Sequence, residues 1–379
     1  MRIAVTGFRG IPATWGGVEH QCEQVYSRLA AKGYEIIIFA RSHYVKKDIK
    51  FYKGIRIRRL PTIQIKGLEA FLHTFLSVLI ILKENPDIVH FYTQGPSLFS
   101  WLPRLFRPQM RVFFTCQGLD WQRKKWSPWA GAVIYLGEVF SVLFPHYRIV
   151  VSQTLQSYYQ KRYGVKTHYI PNGVQIPVKK PLHEARRFGI LRRRYFLSVG
   201  RMVPEKRLED IIGAFISKPR QSMLVIVGGG GGAGAPNYEN KLKQLAKDHP
   251  AIVFVGYQFG EMLQELFSNA RAFVTASELE GLPLTLLEAL SYGLIGITSD
   301  IGPHREILGR LNEFCFPTGS HEKLSDQMSR VEQMSEPELS DFGVKATERV
   351  EQMFGWEGIV EQTEQLYQKS MIPKAGDNI

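Results

Sequence analysis

The chain has 379 residues, of which 44% are hydrophobic and 22% charged, with 34 Gly and 20 Pro. This composition indicates a globular protein with a large core and excludes a disordered, collagen-like or coiled-coil chain. The length suits about two to three domains, and the formal net charge is +13.

The first part of the chain, residues 1–176, alternates short strand-like runs with segments of helix length. The run EIIIFA at 35–40 is almost continuously apolar, which is typical of a strand buried on both faces of a parallel sheet. Strands are predicted at 2–6, 35–40, 55–60, 88–92, 112–115, 148–151 and 168–170. Helices are predicted at 18–32, 68–84, 97–106, 129–143 and 153–163. This order predicts an α/β domain with a doubly wound parallel sheet.

A basic, proline-containing stretch at 177–194 is interpreted as a linker, after which the same alternation starts again. Strands are predicted at 195–199, 223–227, 252–255, 272–275 and 295–298, and helices at 208–216, 238–247, 284–292 and 356–369. We therefore expect a second doubly wound domain over 195–350, with the chain helical from 337 onward, followed by a terminal helix and tail at 351–379.

Several common chemistries lack their motifs. The loop after the first strand does not contain GxGxxG, and the second strand ends in Ala40-Arg41 rather than in an acid that would hold an NAD ribose. Walker A, GxSxG, HExxH and Asp-x-Asp sequences do not occur. Dehydrogenases, P-loop ATPases and serine hydrolases are therefore disfavoured.

One candidate anion site follows the predicted strand at 195–199. Gly200 and Arg201 come directly after this strand, and Lys206 stands at the start of the next helix. Two cations beside a helix N-terminus suit phosphate groups. The alternative is that both are ordinary solvated side chains near a turn.

A second candidate lies at 280–288, with sequence EGLPLTLLE. Glu280 precedes the turn, and Glu288 lies within the following helix, where a carboxylate can accept hydrogen bonds from two ribose hydroxyls. Backbone amides of Gly281 and Leu282 are expected at the helix start, ready for a phosphate or sugar oxygen. Alternatively, both acids are ordinary surface or helix-terminal residues.

Taken together, these motifs resemble the GT-B glycosyltransferases, and more narrowly the retaining glycosyltransferase family 4. The resemblance covers nearly the whole chain and also includes GGVE at 16–19 and IPNG at 170–173. The sequences GFRGIP at 7–12 and GLDWQRKKW at 118–126 are similar to the N-terminal domain of bacterial rhamnosyltransferase-like members.

The resemblance implies two Rossmann-like domains facing a cleft, with a terminal helix that crosses back to the first domain. Arg201 and Lys206 would neutralise the two phosphates of a nucleotide diphosphate sugar and stabilise the departing diphosphate. Glu288 would hold the ribose, and Glu280 would orient the sugar. The other residues implied on the donor side are Gly16, Gly17, Asn172, Gly200, Gly281 and Leu282. Retention of anomeric configuration is implied, and neither a cofactor nor a metal is expected.

On the acceptor side the sequence departs from many relatives. Gln117 stands where they have a His, and an amide cannot take up a proton near neutral pH. Asp120 is therefore the replacement candidate for a catalytic proton acceptor, although it could equally be a loop cap. Glu19, Gln117, Arg123 and Lys124 are assigned to the acceptor side.

Trp121 and Trp126 flank the basic residues 123–125, a mixture that suits a polyprenyl-diphosphate-linked or polyanionic glycan acceptor. No nucleic-acid-binding motif accompanies them. The glycine run at 228–232 could approach the donor closely or form a flexible surface loop.

Residues 1–190 contain 28 basic and 10 acidic side chains. This excess suggests an anionic membrane surface as a further partner, or simply a solvated basic surface. Three separated cysteines exclude a disulfide framework and favour a cytoplasmic location. The basic charge leads us to expect peripheral association at the inner face of the plasma membrane. Neither apolar run, at 71–82 and at 129–144, is long enough to span a bilayer.

The sequence thus predicts a glycosyltransferase that moves a sugar from a nucleotide diphosphate sugar to a cell-surface glycan or lipid-linked saccharide. Two alternatives remain at this point. One is a nucleotide-sugar epimerase of the same fold, and the other is a non-catalytic scaffold that binds nucleotide sugar, as the loss of the usual His would suggest.

Overall fold

The computed structural model describes residues 1–14, 16–63, 65, 68–123, 126–230, 235–247 and 249–372. The chain divides into two compact units. The first comprises Met1–Gly173 together with 356–372, and the second comprises Val174–Gly355. Lys124, Lys125 and residues 231–234, which include the end of the glycine run, lie outside the described residues.

The first unit is an α/β domain whose elements follow the predicted alternation. Its strands are β1 (Arg2–Thr6), β2 (Glu35–Arg41), β3 (Phe51–Tyr52), β4 (Ile55–Leu60), β5 (Ile88–Tyr92), β6 (Arg111–Cys116), β7 (Tyr147–Val150) and β8 (His168–Tyr169). Its first five helices are α1 (Gly17–Ala31), α2 (Leu68–Glu84), α3 (Trp101–Phe106), α4 (Pro128–Leu143) and α5 (Gln153–Tyr163).

These strands form one sheet in the order β3-β4-β2-β1-β5-β6-β7-β8. All neighbours are parallel except β3 and β4, which are antiparallel. The chain leaves β1 toward β2 on one side and returns to β5 on the other, so β1 and β5 flank a topological switch point. Loops at the carboxyl ends of such strands are where doubly wound sheets bind ligands.

The first unit is completed by α13 (Trp356–Met371), the last helix of the chain. Tyr367 is fully buried, and its hydroxyl lies 2.6 Å from His90 Nδ1 and 3.0 Å from the hydroxyl of Tyr26. A Cβ on Gly173 would lie 2.4 Å from the Trp356 ring, so only glycine allows this close approach.

The second unit repeats the architecture with a wholly parallel sheet. Its strands are β9 (Tyr195–Val199), β10 (Met223–Val227), β11 (Ile252–Gly256), β12 (Ala272–Thr275), β13 (Ile295–Ser299) and β14 (Cys315–Phe316). Its helices are α6 (Leu208–Ile216), α7 (Ala235–Leu245), α8 (Gly260–Asn269), α9 (Leu284–Ser291), α10 (Gly302–Leu308), α11 (His321–Gln333) and α12 (Glu336–Phe354).

The strand order is β11-β10-β9-β12-β13-β14, so the switch point lies between β9 and β12. These two strands are paired in parallel, with Ala272 opposite Phe196 and Phe273 opposite Leu197. The fold class predicted from the sequence, two doubly wound α/β domains, is confirmed.

Two sequence-based boundaries differ from the structure. The helix predicted at 97–106 is a short 3-10 turn at Gly95–Phe99 followed by α3. Pro103 explains the break, because it has no N–H to donate to the carbonyl of Phe99 and its ring crowds the preceding turn.

The stretch at 177–194, expected as a linker, belongs to the second unit. Its apolar side chains Leu182, Ala185 and Ile190 are buried, and Glu265 on α8 accepts hydrogen bonds from the amides of His183 and Ala185. Proline and charge suggested a connector, but burial of these three side chains attaches the segment to the domain. Across the described residues, no helix is both long and apolar enough to cross a bilayer.

Candidate active site

The predicted donor residues of the second unit follow the two strands of its switch point. Gly200 and Arg201 come directly after β9, and Glu280 lies in the loop between β12 and α9. Because β9 and β12 are parallel neighbours, both loops leave the same edge of the sheet. The Arg201 side chain is half-buried there.

Lys206 and Glu280 form an ion pair between these two loops. The Lys206 Nζ lies 2.5 Å from Glu280 Oε1, with the side chains 20% and 13% exposed. Burial alone would raise the pKa of Glu280, but the Lys206 ammonium, His304 and a hydrogen bond from Ser277 together hold that pKa below its ordinary value. Glu280 is therefore an ionised carboxylate that meets Lys206 directly, a pairing that the sequence did not predict.

His304 on α10 is a third member of this cluster, and the sequence analysis missed it. Its imidazole is fully buried, and burial lowers its pKa to about 4 although Glu280 opposes that shift. The Nδ1 atom lies 2.8 Å from the carbonyl oxygen of Ser299, so it carries the proton of the neutral ring. The Nε2 atom is then a buried acceptor with no hydrogen-bond partner among the described residues.

A second polar network, centred on Arg207 and Asp210, holds the loop that contains Lys206. Arg207 adopts a left-handed backbone conformation, with φ of 49°, and its guanidinium lies 2.5 Å from Asp210 and 3.3 Å from Glu278. His321 Nε2 lies 2.8 Å from the other oxygen of Asp210. The amide of Glu278 also donates to the carbonyl of Glu205. These contacts fix the loop after β9 against the loop after β12.

The beginning of the glycine run packs directly on the Arg201 loop. The amide of Met202 donates to the carbonyl of Gly229, and that of Gly200 to Val227. Gly228 has φ of +134°, and a Cβ there would lie 1.8 Å from the carbonyl oxygen of Gly200. Only glycine fits at this position, so the described part of the run is an ordered support of the loop.

Glu288 lies on α9, where its side chain is half-buried. Burial raises the pKa of this carboxyl to about 7. Within the described residues no contact joins it to the Lys206–Glu280 pair. Gly281 and Leu282 precede Pro283, which caps the start of the helix, and the Leu282 side chain is buried. Burial therefore opposes ionisation of Glu288, which lies within α9, eight residues after Glu280 in the chain.

In the first unit, two carboxylates of α1 hold the loop that follows β1. Glu19 is buried and accepts a hydrogen bond from the amide of Arg9 at 3.2 Å. Glu23 accepts from the amide of Ala13 at 2.8 Å. Gly16 has φ of +105° and caps α1, and a Cβ there would collide with the Glu19 carboxylate. Gly17 is the first residue of α1. Glu19 therefore stabilises the loop after β1 through a buried hydrogen bond.

Gln117 and Asp120, both half-buried, follow β6 in the same unit. The Gln117 side-chain amide donates to the side chain of Gln21, a buried residue of α1 that the sequence analysis did not single out. Asp120 is paired with Arg123, whose Nε lies 3.0 Å from the carboxylate. The charge of Asp120, the proposed proton acceptor, is thus balanced by Arg123, which was assigned to binding of the acceptor saccharide. Lys124 lies outside the described residues.

A buried carboxylate on α4 organises this loop. Glu138 is fully buried and accepts hydrogen bonds from Trp121 Nε1 at 2.8 Å and from the hydroxyls of Tyr158 and Tyr163 at 2.7 and 2.6 Å. Gln94 also donates to Glu138 and accepts from the amide of Asp120 at 3.0 Å. Glu138 therefore connects α4, α5 and the Asp120 loop, a role that its place in an apolar run did not reveal.

Asn172 is buried at the end of the first unit, after β8. Its assignment to the donor side stays a prediction, as do the other residue roles. In the described parts of the chain, no group of three or more His, Cys, Asp or Glu side chains could hold a metal ion. Metal independence likewise stays a prediction.

Comparison with known proteins indicates which class of protein this chain resembles. Residues 15–176 match the family model Glycosyltransferase Family 4, and residues 184–349 match the model Glycosyl transferases group 1. The two matches fall on the two units of the fold. Together they support a glycosyltransferase with the GT-B fold, each region being similar to one of these families.

Among its relatives, a lipopolysaccharide 1,6-galactosyltransferase of Salmonella typhimurium is 22% identical over 86% of this chain and 87% of the relative. A GDP-mannose-dependent alpha-mannosyltransferase of Mycobacterium tuberculosis is 24% identical over 81% of each chain. The structure of sucrose-phosphate synthase from Thermosynechococcus elongatus shares the fold, with a TM-score of 0.83, 22% identity and coverage of 97% of this chain and 98% of that one.

Proposed function

We propose that this glycosyltransferase is a retaining, metal-independent enzyme that transfers a sugar from a nucleotide diphosphate sugar to a cell-surface glycan or lipid-linked saccharide. The observation that carries the proposal is the meeting of Lys206 and Glu280 at the switch point of the second unit, with Arg201 at the same edge of the sheet. Parallel sheets bind nucleotides at such points.

The charges at this edge suit a diphosphate leaving group. An ammonium has three N–H donors, so Lys206 can keep its bond to Glu280 and still donate to phosphate oxygens. Arg201 adds a planar guanidinium, which pairs with phosphates in a bidentate manner. When the bond between the anomeric carbon and the diphosphate breaks, the electron pair leaves with the diphosphate. Fixed cations stabilise that developing charge.

The buried polar atoms beside the pair suit the transferred sugar. The Glu280 carboxylate would accept hydrogen bonds from sugar hydroxyls, and the buried Nε2 of neutral His304 would be a further acceptor if the donor reaches it. Glu288, with its pKa raised by burial, would accept the ribose hydroxyls. Sugar and ribose would then be held by oxygen and nitrogen acceptors, and the diphosphate between them by cations.

The printed names of the relatives indicate the classes of donor and acceptor. One relative depends on GDP-mannose, and another is a galactosyltransferase of lipopolysaccharide. By analogy we assign a nucleotide diphosphate hexose as donor and a surface or lipid-linked saccharide as acceptor. We also place the enzyme in the cytoplasm, at the inner face of the plasma membrane.

The acceptor hydroxyl must lose its proton as its oxygen bonds to the anomeric carbon. Asp120 is the candidate for this proton, and its pairing with Arg123 would have to open first. The attack would come from the face that the diphosphate leaves, which retains the anomeric configuration.

The proposal is tested first by nucleotide binding. Thermal unfolding with UDP, GDP, dTDP and ADP should reveal one diphosphate that stabilises the protein, since a ligand that binds only the folded state raises its stability. The corresponding nucleotide sugars are then incubated with saccharide acceptors, and the product is analysed by NMR for its anomeric configuration.

A glycoside with the donor's configuration supports the proposal, whereas one with the opposite configuration refutes retention. An isomerised nucleotide sugar without a glycoside would indicate the epimerase. Tight nucleotide binding without turnover of any donor would indicate the scaffold. Activity that disappears with a chelator and returns with a divalent cation would refute metal independence.

A further inference from the structure

Two helices of the first unit are unusually apolar for surface helices. The 16 residues of α4 contain a single charged side chain, Glu138, and that side chain is buried. The charged residues of α2 are confined to its two ends, at Glu69, Lys83 and Glu84. Neither helix therefore presents the polar outer face that a solvated surface helix requires.

Each helix instead exposes an apolar stripe. On α4, Trp129 is 86% exposed, Val133 47%, Leu136 45% and Leu143 63%. The spacing of these residues by three, four and seven positions places them along one side of the helix. The stripe begins at Trp129, in the first turn of the helix.

On α2, Phe71, Phe75 and Leu79 recur every four residues and are 40%, 37% and 46% exposed. The short helix α3 adds Leu105 and Phe106, at 63% and 54%. Isolated exposed apolar residues are common, but three neighbouring helices with such side chains mark an interaction surface.

The stripes belong to one surface because α2 and α4 pack on the same turn at Gly95–Phe99. The ring of Phe71 lies 4.7 Å from that of Phe99, and a Cβ on Gly137 of α4 would lie 2.3 Å from the carbonyl oxygen of Gln94. The connections β5-α3-β6 and β6-α4-β7 also run in the same direction along the sheet, so α3 and α4 cover the same face. We name the exposed side chains of α2, α3 and α4 the apolar surface.

Cations border the apolar surface. Lys83 at the end of α2, and Arg104 and Arg107 at α3, are exposed. Arg162 donates to the hydroxyl of Tyr135 on α4 at 2.9 Å. A basic border around aromatic and aliphatic side chains is the composition of a face that lies on an anionic bilayer.

We propose that the apolar surface docks the protein on an anionic lipid bilayer, with α2 and α4 lying in the plane of the interface. The exposed side chains enter the boundary between headgroups and acyl chains, and the bordering cations pair with lipid phosphates. Glu138, which holds the Asp120 loop, is on the inner side of α4. Docking therefore brings the loop assigned to the acceptor close to the bilayer, a consequence that rests on the proposed function.

The test is sedimentation of the full-length protein with vesicles. Wild type is compared on vesicles that contain phosphatidylglycerol and on vesicles of phosphatidylcholine alone, at low and at raised salt. The double variant Val133→Glu, Leu136→Glu alters the apolar surface, and Leu79→Glu alters it from a different helix. The matched control is Val344→Glu, Met353→Glu on α12, where the side chains are 53% and 54% exposed. Cooperative thermal unfolding shows that each variant folds.

We expect wild type and control to sediment with the anionic vesicles and to be released by salt. Both variants of the apolar surface should bind about tenfold more weakly or worse, because apolar contacts are lost and negative charge is added. The proposal is overturned if wild type does not bind anionic vesicles or binds neutral vesicles equally well. It is also overturned if the control variant on α12 loses as much vesicle affinity as the variants of the apolar surface.

A second copy of the chain is the competing occupant. A wild-type dimer in solution that Val133→Glu, Leu136→Glu converts to a monomer, without vesicle binding by either protein, would overturn the proposal in its favour. Nucleotide-dependent thermal stabilisation, measured on the same variants, reports on the donor site alone. A failure of the bilayer proposal is therefore distinguishable from a failure of the proposed function.

Discussion

Lys206 and Glu280 are 74 residues apart in the chain, yet their side chains meet at 2.5 Å between Nζ and Oε1. The contact joins the loop after β9 to the loop after β12, the two strands of the switch point in the second unit. A residue assigned to the diphosphate and a residue assigned to the sugar thus hold each other before any donor binds. Their effects on binding and on stability should be linked.

We expect Lys206→Met to lower both nucleotide affinity and stability, because it leaves the mostly buried Glu280 carboxylate without its cation. The free energy of unfolding should fall by about 2 kcal/mol. The double variant Lys206→Met, Glu280→Gln removes the orphaned charge and should recover most of this loss, but not nucleotide affinity. Urea unfolding and nucleotide titration measure the two effects. Additive stability losses in the double variant would contradict the linkage.

Arg201→Ala should weaken nucleoside diphosphate binding by about tenfold or more, the effect of losing a charge-assisted pair with phosphate. Arg310→Ala is the control, since Arg310 is an exposed arginine of the same unit. Isothermal titration calorimetry gives both affinities. Equal affinities for wild type and Arg201→Ala would remove Arg201 from the donor site.

Glu288 should make nucleotide binding depend on pH near neutrality. Burial raises its pKa to about 7, so the free protein holds a partly protonated carboxyl at neutral pH, whereas ribose hydroxyls donate best to a carboxylate. Wild-type affinity, divided by that of Glu288→Gln at each pH, should therefore rise between about pH 6 and 8. Division by the variant cancels titration of the nucleotide phosphates. Parallel profiles would show that Glu288 does not contact the ligand.

In the free protein the same group has the opposite effect on stability. The pKa of Glu288 in the folded protein lies above the ordinary glutamate value of 4.5. The folded state therefore binds the proton more tightly than the unfolded state does, and stability is lost as the pH rises from about 4.5 to about 7. Relative to Glu288→Gln, wild type should be most stable at the acidic end of this range. Denaturant unfolding at several pH values gives the comparison, and a difference that does not vary with pH would contradict it.

Glu138→Ala should destabilise the first unit by about 3 kcal/mol, because it orphans several buried donors at once. It should also change the fluorescence of Trp121, whose indole donates to Glu138. Asp48→Ala, at an exposed position of the same unit, is the control. Nucleotide binding should persist in both variants, since the donor residues tested above lie in the second unit. An unchanged melting temperature for Glu138→Ala would contradict the network.

Much of the fold was predictable because the pattern of apolar residues along the chain agrees with the burial of the same residues in the structure. Continuous apolar runs such as 35–40 and 272–275 became parallel strands, since both faces of such sheets are covered by helices. The amphipathic helices α8 and α11 were not predicted, and neither was α10. Helices of this length are marginal on their own, so packing of their apolar sides in the tertiary structure, rather than local sequence, stabilises them.

For the candidate site, the sequence itself determined which chemical groups follow which strands: Arg201 after β9, and Glu280 and Glu288 around the start of α9. Only the tertiary structure decided their partners. It paired Lys206 with Glu280, paired Asp120 with Arg123, and buried His304 beside Glu280. Strand order decides which loops become neighbours, and Coulomb attraction and desolvation act only over the distances that this order creates. A pattern along the chain carries no such distances.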